Sequence, residues 1–375
     1  MNHLLHVSLA AWIALGPAPS TVPAVAARQP EQLTVIVKAS PQSEMRTELR
    51  VQSGSLLRQF RKVKKSPLHH GALTDTYISI HRPEGETVYV VDDQGGLYDA
   101  DRKETVELKP AVKDKLEAYI DAARSAHYGK LTPWDEAKNI VYMKSVAQVV
   151  DIETGLRFQA QRRAGSSHAD MQPLTKKDSQ IMKQIYSGKW SWKRRAVLVQ
   201  IDGQSLAASM HGMPHGGDGI PDNGFSGHFC IHFLGSTTHK TAAVDPDHQW
   251  MVYKAAGRLE EAFRQASPYE VIDSFFIALN QQDPELLRRS FADGENPALS
   301  YFVQHMDRFM SIRKTKAFVE KDTSGQTRFE LPVEATVQAK GKRPEVHTYT
   351  FVLNKASDSS SWQIESVTWT AMRNN

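Results

Sequence analysis

The chemistry-bearing residues of this chain crowd into one stretch. Gly227 to Phe233 reads GHFCIHF and holds the single cysteine of 375 residues, Cys230, with His228 and His232 two positions to either side. In a β-strand successive side chains alternate faces. His228, Cys230 and His232 then share one face, and Phe229, Ile231 and Phe233 share the other. The aromatic and aliphatic face belongs to a core. The opposite face is a polar row, and burying such a row without partners is unfavourable. Three readings follow: Cys230 is a nucleophile, it shares a metal ion with its neighbours, or it is an inert core thiol between satisfied imidazoles.

The nucleophile reading needs a base, because a free thiol with a pKa of about 8.5 is mostly protonated at neutral pH. His215 enters from the glycine-rich loop HGMPHGGDGIPDNG and can take the thiol proton, with His228 orienting it. Long loops without secondary structure are uncommon in compact domains and are usually functional. Backbone N–H groups around Cys230, or in that loop, can hold the oxyanion of a tetrahedral intermediate. Gly216 and Gly227 flank the loop and are assigned to substrate contact.

The metal reading draws on His168 and Asp170 from the segment GSSHADMQPLT, together with His228 and His232. Zinc takes nitrogen, sulfur and carboxylate ligands, and residues two apart on a strand stand about 6.6 Å apart along it, close enough to share an ion. His228 and His232, about 13 Å apart on the same rise, are too distant for joint ligation. On local context alone, Asp170 and Asp178 read as surface or helix-cap carboxylates, and His239 and His248 fall outside the chemistry. Trp190 and Trp192 alternate with Lys189 and Lys193, a pattern that suits a glycan or peptide platform or packing beneath the loop. Arg194, beside Lys193 and Arg195, is a candidate for binding carboxylates.

The segment also resembles the L,D-transpeptidases of bacterial cell walls. That family carries a His-Gly pair, a loop of similar length, and a strand of the pattern S-H-G-C-[IV]-R whose cysteine is the nucleophile. Here His215-Gly216 precedes Cys230-Ile231, and His228 stands two before the cysteine. Gly227, Phe229 and His232 stand where the family has Ser, Gly and Arg. The resemblance covers about a hundred residues. It implies a cysteine acyl-enzyme formed on peptidoglycan stem peptides, with Cys230 as nucleophile, His215 as base and His228 in support, and no cofactor. The alternatives are a zinc-dependent peptidoglycan hydrolase using His168, Asp170, His228 and His232, and a non-enzymatic wall-binding protein on a degenerate scaffold, which the absent Arg keeps open.

The elements that must position these residues suggest an α+β, multidomain chain. Residues 33–148 read as a small mixed α/β domain, with the strands LTVIVKA, TYISIHR and TVYVVDD and a helix from Pro110 toward Gly129. Residues 149–257 read as a β-rich central domain that includes a hairpin turning at Asp202-Gly203. Residues 262–375 begin with a capping box, Ser267-Pro268-Tyr269-Glu270, and a second helix at Asp283-Pro284, then finish in strands. Helices followed by a curved antiparallel sheet resemble the cone-shaped nuclear-transport-factor-like (cystatin-like) fold, which carries no function by itself.

Composition supports a folded globular chain, with 40% hydrophobic and 23% charged residues. The net charge of +4 is not gathered on one element, so nothing points to a nucleic-acid partner. An apolar run from Leu4 to Leu15 followed by Ala24-Val25-Ala26 reads as an export signal over residues 1–26. It implies a secreted or envelope-associated protein, and no later segment reads as transmembrane.

Overall fold

The computed structural model describes residues 31–371, apart from 62, 68–72, 93–94, 100, 218, 240–241 and 358–359. The export signal expected over residues 1–26 lies outside the described residues. No helix among them is long and apolar enough to cross a membrane.

The first sheet comprises β1 (Gln32–Val37), β2 (Thr47–Val51), β3 (Lys64–Pro67), β4 (Thr76–Arg82), β5 (Gly85–Val91), β6 (Leu97–Asp99) and β7 (Glu104–Glu107), in the order β2-β1-β4-β5-β6-β7-β3. Helix α1 (Gly54–Phe60) lies between β2 and β3 in sequence. Helix α2 (Pro110–His127) packs on β1 and β2 through Leu116, Ile120 and Ala123, which recur at helical spacing. Helix α3 (Trp134–Ile140) leads into the central region.

That region is a closed six-stranded barrel of β8 (Val146–Asp151), β9 (Arg157–Ala164), β10 (Ala169–Pro173), β11 (Arg194–Ile201), β12 (Gln204–His211) and β13 (Phe229–His232), in the order β10-β13-β12-β11-β8-β9. The β11–β12 connection is the two-residue turn expected, with Asp202 at φ 48° and Gly203 at φ 74°. Helix α4 (Lys176–Ile185) follows β10 and opens on a capping box between Thr175 and Asp178, so Asp178 is the helix-cap carboxylate read from the sequence.

Inward residues, among them Val149, Phe158, Met171, Val197, Met210, Phe229 and Ile231, form one apolar core inside the barrel. Their strand neighbours point outward. On β8, β11 and β12 the outward residues Val150, Leu198 and Ala207 join a second apolar core that runs continuously into the first and last sheets. Helix α5 (Pro246–Ala255) covers β11 and β12. On β10 and β13 the outward residues include Asp170, Cys230 and His232, and the barrel's exterior turns from apolar to polar.

Helices α6 (Leu259–Gln265), α7 (Pro268–Gln281), α8 (Pro284–Arg289) and α9 (Pro297–Gln304) precede the last sheet. It is the antiparallel meander β14 (Phe309–Lys314), β15 (Arg328–Ala339), β16 (Glu345–Asn354) and β17 (Gln363–Ala371). Ser267 and Glu270 form the expected capping box of α7, and Asp283 caps α8. The whole is α+β, with several sheets and a barrel. These sheets do not by themselves identify an L,D-transpeptidase or a nuclear-transport-factor-like fold.

Candidate functional site

Strand register builds the site. Asp170 of β10 pairs with Cys230 of β13, and Ser209 of β12 pairs with His232. Directly paired residues share a face, so Asp170, Cys230, His232 and Ser209 all emerge on the barrel's outside. His211 joins them two residues beyond Ser209. Phe229, Ile231 and Phe233 are buried in the barrel core, so the alternation read from GHFCIHF holds. The polar row is itself mostly covered: Cys230 and His232 are buried, and His228 is partly exposed.

The glycine-rich loop returns to its own start. His215 and His228 form an isolated antiparallel bridge, with His215 N–H donating to the His228 carbonyl at 3.1 Å and His228 N–H to the His215 carbonyl at 2.8 Å. Gly216 and Gly227 make this closure possible. Both have left-handed φ, at +69° and +91°, and a Cβ on Gly227 would lie 2.2 Å from the His215 carbonyl oxygen. No other residue tolerates that combination. The bridge sets the two imidazoles 4.3 Å apart and carries His215 to the thiol.

His215 Nε2 lies 3.4 Å from Cys230 Sγ, and its Nδ1 lies 3.0 Å from the Met213 carbonyl oxygen. A carbonyl only accepts, so Nδ1 carries the ring proton and Nε2 presents its lone pair to the thiol. Burial first, and then the Asp170 carboxylate, push the Cys230 thiol well above its ordinary pKa. The thiol is therefore protonated at rest, and the imidazole is placed to remove its proton during attack.

Asp170 is the hub on the other side of the sulfur. Its Oδ1 has His168 Nε2 at 3.2 Å, His239 Nε2 at 3.4 Å, His228 Nε2 at 3.7 Å and Cys230 Sγ at 3.8 Å. Burial opposes the carboxylate charge, but the surrounding imidazoles, His168 first, hold its pKa at about 2. Asp170 is thus a buried strand residue rather than the surface or helix-cap carboxylate that local context suggests. The neighbouring strand β13, distant in sequence, supplies the partner that makes it one.

Behind this hub the imidazoles stack. The His168 and His232 rings stack at 4.4 Å, and His248 from α5 stacks on His232 at 3.8 Å while its Nδ1 meets Ser209 Oγ at 2.9 Å. Burial lowers the pKa of His232 to about 2, that of His248 well below the ordinary value, and that of His228 by less. The sulfur, nitrogen and oxygen atoms fall into several sets within metal-sharing distance: His168 with Cys230 and His232, His211 with His215 and Cys230, His168 with Asp170 and His239, and Asp170 with His228 and Cys230. Of the four residues proposed from sequence to share zinc, His168, Asp170 and His228 meet at Asp170 Oδ1, and His232 lies against the His168 ring.

The expected substrate-binding residues divide. Trp192 is half exposed, packs on His211 and His215, and lines a cleft of about 800 Å³ between the barrel and the last sheet. Trp190 packs edge-on against Phe225 beneath the loop. Arg194 is engaged by Asp245 at 2.7 Å. Sequence reasoning missed His239 and His248, which were set outside the chemistry. His239 arrives on a turn held by hydrogen bonds from Thr237 N–H to the Ser167 carbonyl and from Thr238 N–H to the Ala243 carbonyl, contacts that no local pattern announces. Compared with known proteins, the chain matches no family model and no curated protein.

Proposed function

We propose that this chain is a cysteine-dependent acyltransferase or hydrolase of the bacterial envelope, acting on peptidoglycan stem peptides. The observation that carries the proposal is the Cys230 Sγ to His215 Nε2 approach of 3.4 Å, with His215 Nδ1 held by the Met213 carbonyl. A base within reach of the nucleophile, itself oriented by a third group, is the arrangement that nucleophilic catalysis requires. The choice of peptidoglycan rests on the resemblance of His215-Gly216, the loop and His228-Phe229-Cys230-Ile231 to the L,D-transpeptidase pattern.

The chemistry balances through one proton. As Cys230 Sγ attacks the donor carbonyl, its proton passes to His215 Nε2. The carbonyl carbon–nitrogen bond then breaks, and the imidazolium gives that proton to the departing amine, leaving a thioester. An incoming amine or water attacks the thioester, His215 takes its proton, and the carbon–sulfur bond breaks to restore the thiol. The half-exposed Trp192, which packs on His215 and also lines the cleft, offers the donor a flat apolar surface.

Intact-mass measurement after mixing with purified muropeptides tests this. A thioester adduct mapped to Cys230 is expected. Turnover of muropeptides without any adduct, unaffected by loss of the thiol, contradicts the proposal.

A further inference from the structure

Next to the dyad stands a group of side chains that thiol catalysis does not use. His168 Nδ1 lies 2.7 Å from the Thr237 carbonyl oxygen. Since that carbonyl accepts, Nδ1 carries a proton, and in the neutral ring Nε2 is then a bare lone pair. That Nε2 is buried and has no hydrogen-bond partner among the described residues. It nevertheless faces Asp170 Oδ1 at 3.2 Å, off the line a hydrogen bond requires. Two acceptors so close and so buried repel each other unless something electropositive lies between them. His239 Nε2 approaches the same oxygen at 3.4 Å, and its side chain is 48% exposed, so the group is reached by solvent at His239.

We propose that His168, Asp170 and His239 form a site for a divalent transition cation of the zinc type, beside the thiol and separate from the Cys230–His215 dyad. Ligands bound tetrahedrally at about 2.0–2.1 Å stand about 3.3–3.4 Å from one another. The measured separations from Asp170 Oδ1, 3.2 and 3.4 Å, match that edge length, and the three ligand atoms all lie within 4.8 Å of one another. Two imidazoles and a carboxylate form the kind of three-ligand set zinc accepts with a fourth position open. The Thr237 carbonyl on His168 Nδ1 is the outer contact that fixes a metal-binding imidazole in its tautomer and orientation. His228 and Cys230, at 3.7 and 3.8 Å from the same oxygen, border the open position. The site uses no part of His215, so it stands or falls independently of the acyl-transfer proposal.

The test uses the full chain, stripped with a chelator and reloaded with cobalt(II) or zinc(II). One equivalent should bind, with the visible absorption of a tetrahedral cobalt centre that zinc bleaches. His239→Ala alters a half-exposed residue, so the fold should survive. This variant should lower the affinity more than about 100-fold, since even outer-shell partners of a metal ligand contribute 10–100-fold. His215→Ala should keep the cobalt spectrum while losing turnover, which separates the two sites. No stoichiometric uptake by the wild-type chain, or uptake unchanged in His239→Ala, overturns the proposal. So does a doubly protonated His168 ring, read by nitrogen NMR at pH 7.5 with one equivalent of zinc present, because a proton rather than a metal would then occupy the gap.

Discussion

Two buried polar regions of this molecule are built on opposite terms. Where the barrel meets its neighbours, buried charges are paired with one another. Arg195 makes a two-pronged contact with Asp151 at 2.9 and 2.6 Å, and Lys254 reaches both Glu153, at 2.7 Å, and Asp283. The second carboxylate oxygen of Asp283 caps α8. In the histidine region on the barrel's outer face, by contrast, His168 Nε2 and His232 Nδ1 are buried without hydrogen-bond partners. Burial lowers the pKa of His211, His228, His232 and His248 there, and a thiol and a carboxylate share their space. Leaving such groups unsatisfied costs about 1–3 kcal/mol each. The first region is what a structural polar network looks like. The second leaves buried nitrogen atoms without a partner among the described residues, which is the pattern the two proposals above address.

The contrast can be broken from either side. The largest effect should come from Cys230→Ala, which is expected to lower muropeptide turnover by at least about 10⁴-fold. Circular dichroism and the urea midpoint should stay near those of the wild type, because the sulfur lies outside the barrel's apolar core and its contacts with Asp170 and His215, at 3.8 and 3.4 Å, are long. Lys254→Ala should do the reverse. It strands Asp283 as a buried charge and removes the cation from the partly exposed Glu153, and it should lower stability by about 3–5 kcal/mol in urea titration, with Cys230 still acylated in the folded fraction.

Gly227→Ala falls between the two. Its methyl would meet the His215 carbonyl, so the His215–His228 bridge should open and displace the base. A misplacement of about 1 Å is worth roughly 100-fold in rate, and activity should fall by about that factor while the cooperative unfolding transition remains.

Acid should separate the regions more gently. His232 is neutral in the fold, with its pKa lowered to about 2 mainly by burial, and it takes up a proton in the unfolded chain below about pH 6.5. The unfolded state then binds more protons, so this group's contribution is intact above about pH 6.5 and is lost as pH falls toward 2, reaching about 2 kcal/mol at pH 5. Asp283 behaves differently. Burial pushes its pKa up, but Lys254 more than reverses this and holds it below the ordinary value, so the ion-paired region persists until more strongly acid pH. His232→Gln should flatten the loss of stability between pH 6.5 and 5, measured by urea unfolding at each pH.

What could be foreseen from sequence tracks how local each cause is. The alternation of GHFCIHF, the Asp202-Gly203 turn and the capping box at Ser267 are decided within a few residues, and they read directly. The approach of His215 to Cys230 was legible only through a loop length and a family likeness. The Asp170 hub was not legible, because it arises from the pairing of β10 with β13, sixty positions away in the chain. Nor was His239, whose place depends on a turn pinned to Ser167. Arg194 looked free for a substrate carboxylate, and only the fold brings Asp245 to it.

The central claim is that His215 activates Cys230, and acylation of the thiol measures it most directly. The rate of adduct formation with a carbapenem-type acylating agent, followed by intact mass in wild type and in His215→Ala, should fall by about 10²–10⁴-fold in the variant. Equal rates in the two proteins, or no adduct on wild-type Cys230, would contradict it.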